Sequence, residues 1–486
     1  MCDSLGDAPN IRALIVKDTG MHLCHLFPII PPLPTWEPGF SFKKQVPPVR
    51  VLLIAEACNP EWVSVPLVGW SHARAIAALN DTHLVTQVRN RDAILRAGLV
   101  EGKDFTAIDS EAVARRAYRM AGVFGAKSNT GWTVLSSMMS LAYPYFEHLI
   151  WEQFGDRIAA KEFDVVHRLI PLSPASPSLL ATRCRKVGVP FVIGPLNGGL
   201  PWPPGFEAAR KREGEHLPLL REMHRLMPGY YSTRRDATAI IAASRTTLDE
   251  VPRAFRSKTF YVPENAIDPA RFTRRRNRRA TVPLKVVFVG RVVPCKAMDL
   301  FLEAAAQLIR DRKLMVEIVG DGPDMPLLKA IIHREGLGER VHLTGWVEHT
   351  KVQDSLVNAD LFAFPSIRDF GGGAALEAMA VGVAPIIVDY GGPAELVTDT
   401  TGFVIPLGTP SEIRTRLRKL LEHLVKNPDE IDQKAAAALT RAHTLFTWEY
   451  KAQRITEIYR WAVSANAPKP SFSIPWGDAV ASAVPS

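Results

Sequence analysis

Two series of short apolar runs, each run closed by a polar or glycine-containing loop and separated from the next by a helical stretch, constrain this chain more than any other feature. The first series lies at 49–57, 82–88, 105–108, 164–170, 190–194, 237–243 and 259–262. A loop over 58–70 separates its first run from a helix predicted to begin near Ser71. Short continuous apolar runs suit strands buried on both faces, and their alternation with helices predicts a doubly wound parallel sheet. The second series lies at 285–290, 315–320, 341–345, 361–365, 384–389 and 403–405, and predicts another such sheet. Between the two, residues 271–279 hold six arginines and no acid, which reads as a linker. The predicted organisation is an N-terminal extension over 1–47, a first domain over 48–272, an Arg-rich linker over 273–283 and a second domain over 284–447. A final helix follows at 448–463, then a Pro- and Ser-containing tail over 466–486 expected to be disordered.

No apolar run reaches the roughly 18 residues a membrane span requires. The most lipid-like stretch, 21–34, carries two histidines and several prolines and is expected to be an extended surface segment. Asp3 and Asp7 stand where a secretory leader would carry basic residues. Cys2, Cys24, Cys58, Cys184 and Cys295 form no C-x-x-C pair, so a reducing cytoplasmic location is expected. The formal net charge of +9 is uneven: residues 1–280 hold 37 Lys and Arg against 26 Asp and Glu, and the remainder 22 against 24. Such a field suits an acidic substrate or peripheral contact with an anionic membrane. Nucleic acid is not an expected partner, because no recognition helix, RNP-like segment or zinc-finger spacing accompanies the arginines.

The sharpest local signal follows the run 285–290, where Gly290, Arg291 and Lys296 lie in a loop that leads into a helix. Strand ends and helix N-termini on this edge of an open α/β sheet favour anions, and a diphosphate would satisfy both cations. In isolation such a pair is more often two solvated loop charges. The second signal follows the run 361–365, where Asp369 precedes Gly371, Gly372 and Gly373, with Glu377 inside the next helix. Adjacent glycines let backbone N–H groups approach a ligand, although three glycines are as readily a turn. The neighbouring cations predict a thiolate-prone Cys295. In the first half, His167 closes a strand and is expected to face the cleft, while a purely structural histidine is the alternative. The loop with Asn197, Gly198, Gly199 and Trp202 suits either an acceptor site with an aromatic platform or a rigid turn.

Across roughly 285–405 the order and spacing of these residues closely resemble retaining glycosyltransferases of glycosyltransferase family 4, the glycosyl transferases group 1. The resemblance implies an α/β fold of the GT-B type, two Rossmann-like doubly wound domains facing a central cleft, with the final helix crossing back to the first domain. It implies that Arg291 and Lys296 bind the donor diphosphate, beside Gly290 and the glycines 371–373, and that Glu377 contacts the ribose. Asp369 then occupies the donor-sugar position where the family carries glutamate, one methylene longer. His167 would approach the donor sugar, and Gly69 with Trp70 would match the family's glycine loop before its first helix. The implied reaction is sugar transfer from a nucleotide-diphosphate donor to an acceptor hydroxyl with retained configuration, the leaving phosphate taking the hydroxyl proton and no protein nucleophile acting. The acceptor would be a sugar or lipid-linked sugar in polysaccharide or glycoconjugate synthesis. No Asp-x-Asp occurs, so no metal and no cofactor beyond the nucleotide-sugar co-substrate is expected. A nucleotide-sugar epimerase or hydrolase, and a non-catalytic nucleotide-sugar-binding subunit, remain open on the sequence alone.

Overall fold

The computed structural model describes residues 47–111, 132–215, 229–464 and 467–472. The expected N-terminal extension and most of the expected tail lie outside the described residues.

Two parallel sheets carry the fold. The first contains β1 (Arg50–Ala55), β2 (Asp81–Gln87), β3 (Phe105–Ile108), β4 (Val165–Ile170), β5 (Phe191–Leu196), β6 (Ala239–Ala242) and β7 (Thr259–Tyr261), in the order β3-β2-β1-β4-β5-β6-β7. The second contains β8 (Leu284–Val289), β9 (Leu314–Val319), β10 (Val341–Gly345), β11 (Leu361–Phe364), β12 (Ala384–Val388) and β13 (Phe403–Ile405), in the order β10-β9-β8-β11-β12-β13. Most of their strands are β-branched and apolar runs covered on both faces; β1, β4, β5 and β12 are almost wholly buried, while the edge strands β3 and β10 are only partly so. In each sheet the chain starts at a central strand, winds one way and then returns to wind the other, so β1/β4 and β8/β11 are topological switch points.

The helix Trp448–Val463 is capped by Thr447, whose hydroxyl accepts from the Tyr450 N–H at 3.1 Å. It buries Ile455, Ile458 and Tyr459 in the core of the first sheet, against Val51, Leu53 and the helix Val65–Ala77. That first helix starts at Val65, ahead of the expected Ser71, because Pro66 fits a first helical turn. The Arg-rich segment is docked rather than free. Arg276, with a side chain 4% exposed, reaches the buried Asp360 at 2.9 Å and Asp432 at 2.8 Å, and Arg278 reaches Asp360 at 2.9 Å. Four charges thus anchor the crossing between the sheets to the second one.

Candidate active site

β8 and β11 are neighbours in the second sheet and form its switch point, the edge at which doubly wound folds hold ligands. The loop after β8 is fixed by the Gly290 N–H on the Val319 carbonyl and the Val292 N–H on the Asp321 carbonyl, both at 3.0 Å. A Cβ at Gly320 would lie 1.9 Å from the Gly290 carbonyl oxygen, so glycine there is what lets the two loops meet. The loop after β11 is tied across the switch point: the Ile367 N–H and the Ser366 hydroxyl donate to the Cys295 carbonyl at 2.9 and 3.1 Å.

These ties bring Lys296 and Asp369 together as an ion pair, both largely buried, with the ammonium 4.4 Å from the centre of the Phe364 ring. Asp369 Oδ1 accepts from the N–H groups of Gly371 and Gly372 at 3.2 and 2.6 Å. Burial works against ionisation of this carboxyl, but Lys296 and the two amides outweigh it and hold Asp369 below the ordinary aspartate range. Arg291, in the same loop as Lys296, is exposed and has no hydrogen bond or ion pair among the described residues. Gly372, at φ 63°, caps the helix Gly373–Ala380. On that helix Glu377 accepts from His349 Nε2 at 2.7 Å, and His349 Nδ1 lies 2.7 Å from an Arg271 nitrogen. A guanidinium only donates, so Nδ1 is the acceptor and Nε2 carries the proton directed at Glu377.

Sequence reasoning passed over several residues that shape this place. Arg368, next to Asp369, donates to Glu215 at 2.8 Å and to the Leu200 carbonyl at 3.0 Å. Glu213 accepts from the Cys295 N–H at 3.4 Å; burial raises its carboxyl while Cys295 and Arg291 oppose the rise. Arg271 was read only as the start of the Arg-rich linker, and His349, in the connection after β10, stands in no motif that marked it.

Other expectations are corrected. His167 does not face the cleft: it is fully buried, with Nδ1 2.6 Å from the Tyr459 hydroxyl and Nε2 2.7 Å from the Gly194 carbonyl. Burial pushes its pKa down to about 4, so it is a neutral structural link between β4 and the final helix. Gly69 lies inside the helix Val65–Ala77, where a Cβ would stand 2.3 Å from the Ala57 carbonyl oxygen; the close approach is to the chain's own backbone. Trp70 packs on the first core, with Arg74 5.7 Å from its ring centre. Trp202 is no open platform, since Arg368 stands 5.4 Å from its ring centre and its indole N–H donates to Glu215 at 2.8 Å. Gly198 and Gly199, at φ 151° and 75°, are packed closely on Pro174 and Glu250, and Asn197 reaches across to the Phe370 carbonyl at 3.0 Å. Cys295 is buried, and that burial pushes its thiol up to about 12 despite Lys296, the reverse of a thiolate.

Among the described residues no three His, Cys, Asp or Glu gather as a metal site, and no helix is long and apolar enough to cross a membrane.

Residues 270–438 match the sequence family described as "Glycosyl transferases group 1". The chain is 28% identical over 295 residues to a GDP-mannose-dependent monoacylated alpha-(1-6)-phosphatidylinositol monomannoside mannosyltransferase of Corynebacterium glutamicum, covering 58% of this chain and 73% of that protein. It is 29% identical over 177 residues to an alpha-D-kanosaminyltransferase of Streptomyces kanamyceticus, covering 36% of this chain and only 45% of that protein. Among solved structures, a glycosyltransferase from Rickettsia africae superposes with a TM-score of 0.56 at 13% identity, covering 86% of this chain and 99% of that one. The Anabaena HepE protein, solved in complex with UDP, superposes with a TM-score of 0.54 at 15% identity, covering 85% of this chain and 100% of that one.

Proposed function

We propose that this chain, a GT-B glycosyltransferase whose residues 270–438 are of the glycosyl transferases group 1 family, moves a sugar from a nucleoside-diphosphate donor to an acceptor hydroxyl with retained configuration, as family 4 enzymes do. The observation that carries this reading is the switch point of the second sheet, where exposed Arg291 and the Lys296–Asp369 pair flank a glycine loop that opens a helix. Breaking the sugar–diphosphate bond gathers negative charge on the leaving oxygens. Cations placed beside the leaving group stabilise that charge more than they stabilise the intact donor. In this reading Arg291 and Lys296 hold the diphosphate, Glu377 takes the ribose hydroxyls and Asp369 faces the donor sugar. The leaving phosphate accepts the proton of the attacking hydroxyl, so no protein nucleophile and no metal is assigned.

The segment 284–447 serves as the donor domain, and 48–272 with the helix Trp448–Val463 as the acceptor domain. The basic excess of residues 1–280 and the phosphatidylinositol mannoside named for the Corynebacterium relative favour a lipid-linked acceptor met at an anionic membrane surface from the cytoplasm. The UDP named for the Anabaena structure makes UDP the first nucleotide to try.

The test is binding of UDP and GDP followed by product analysis with UDP-glucose and GDP-mannose, for the wild type, Arg291→Ala and Lys296→Ala. Each substitution is expected to lower turnover at least tenfold. Normal turnover in both variants would remove the diphosphate assignment.

A further inference from the structure

The backbone on the two sides of Asp369 is held by different parts of the molecule. The Asp369 carbonyl accepts from the Gly392 N–H at 2.9 Å, a tie within the second sheet's own loops. The next carbonyl, of Phe370, accepts from the side-chain amide of Asn197, which extends from the end of β5 in the other half of the chain. The same Asn197 nitrogen donates to the carboxylate of Glu264, just beyond β7. The Phe370 carbonyl can only accept, so the amide is oriented with its nitrogen toward Phe370 and Glu264.

Glu264 is in turn fixed from the final helix. The buried Lys451 ammonium donates to the Glu264 carbonyl and stands 4.7 Å from the centre of the Trp448 ring. Burial raises the Glu264 carboxyl, opposed by the Asn197 amide and the Lys451 charge, and lowers the Lys451 ammonium, opposed by Glu264. The glycine loop also lies directly on this segment. A Cβ on Gly371 would fall 2.0 Å from the Asn265 side-chain nitrogen and 3.3 Å from the Glu264 carboxyl carbon. Lys451, Glu264, Asn197 and Phe370 therefore make a continuous, half-buried chain of hydrogen bonds that ends one residue from the acid.

We infer that Asn197 and Glu264 are positioning residues that set Asp369 through the backbone of the glycine loop, so that the first half of the chain completes the donor site of the second. The inference rests on the reading of Asp369 as the donor-sugar acid. Neither residue touches the sugar in this account. Their effect passes through the Phe370 carbonyl and the Gly371 and Gly372 amides that hold the Asp369 carboxylate.

The test combines amide hydrogen exchange across 366–380 with release of nucleoside diphosphate from UDP-glucose and GDP-mannose. Asn197→Ala is expected to speed exchange of the glycine-loop amides severalfold and to lower turnover about tenfold or more, with UDP affinity within about twofold of wild type. Glu264→Gln keeps an oxygen for Asn197 and is expected to stay within about threefold of wild type, whereas Glu264→Ala should behave like Asn197→Ala. The double variant Asn197→Ala with Asp369→Asn should be no slower than Asp369→Asn alone, because the first change acts through the second residue. Asn197→Asp, of the same size, reverses the donor toward Glu264 and Phe370; it carries the same expectations and serves if the alanine variant does not fold. Multiplying rate losses in the double variant, or unchanged exchange in the loop, would overturn the positioning role while leaving the donor reading intact. A wild type that neither binds UDP or GDP nor consumes either donor would overturn both.

Discussion

An aspartate carboxylate offers about four acceptor positions, and Asp369 already spends one on Lys296 and two on the Gly371 and Gly372 amides. The remaining position, on the oxygen shared with Lys296, is what a donor-sugar hydroxyl would use. A hydrogen bond to an ionised acid is worth about 1.5–3 kcal/mol, so Asp369→Asn is expected to lower turnover roughly ten- to a hundredfold. UDP affinity should hold or tighten slightly, since Lys296 loses its counter-charge. Normal sugar transfer, or a loss confined to UDP affinity, would show that this acid does something else. His167 gives a pH prediction. Burial lowers its pKa from the usual 6.5 to about 4, so between these values the unfolded chain takes up a proton that the folded one refuses. Stability from this group is complete above pH 6.5 and is lost as pH falls toward 4, by up to about 3 kcal/mol. Denaturant titrations at pH 7 and 4.5 should therefore show a smaller acid loss for His167→Gln than for wild type; equal losses would discard the linkage. The two residues also differ in legibility. The meeting of Asp369 with Lys296 was readable because their loops both follow strand ends, whereas His167 was misread because its partner Tyr459 lies 292 positions away.

Every apolar run picked from the sequence corresponds to a strand of the two sheets, with ends differing by a few residues, because strands buried on both faces leave a continuous apolar signature. The misread elements are those whose character depends on distant partners. The first helix hid behind Pro66 and Gly69, which look like loop residues until a helix start and a close approach to Ala57 require them. The arginines of 271–279 read as a solvated linker because Asp360 and Asp432, which bury Arg276, are 84 and 156 positions away. Removing one partner of a buried pair leaves the other charged and dry, typically at about 3–5 kcal/mol. Arg276→Ala should cost that much, since Asp360 is fully buried, although its retained bond from the Lys285 N–H and pairing with Arg278 favour the lower end. Arg275, exposed in the same run, is the control and should change stability by no more than about 0.5 kcal/mol on replacement by alanine. Equal shifts in urea midpoint for the two variants would mean that the segment is held by nonspecific charge instead.

At the scale of the molecule, the chain crosses between its sheets twice, and the crossings run side by side: the Ile267 N–H donates to the Phe446 carbonyl at 2.7 Å and the Trp448 N–H to the Ile267 carbonyl at 3.2 Å. The second crossing delivers the helix Trp448–Val463 to the sheet made from the start of the chain, so the first lobe is not complete until the last helix arrives. Ile455, Ile458 and Tyr459 are fully buried there, and Tyr459 supplies the hydroxyl beside His167. Burying each large apolar side chain is worth about 1.5–3 kcal/mol, an upper estimate because the unfolded chain is not fully extended. Three such residues together approach the whole stability of an ordinary domain, about 5–15 kcal/mol. A chain ended after Thr447 is therefore expected to leave the first lobe unfolded, with rapid amide exchange across β1, β4 and β5, while the second sheet, whose core is built mainly from 284–446 with Phe206, Ala209, Ile267, Phe272 and Ala280 added from earlier in the chain, keeps its protection. Ile455→Ala tests the same packing more gently: loss of its buried side chain should cost about 2–5 kcal/mol and speed exchange in the first sheet before the second. If the shortened chain protects β1, β4 and β5 as well as the full chain does, the final helix is an accessory and the first lobe is built without it.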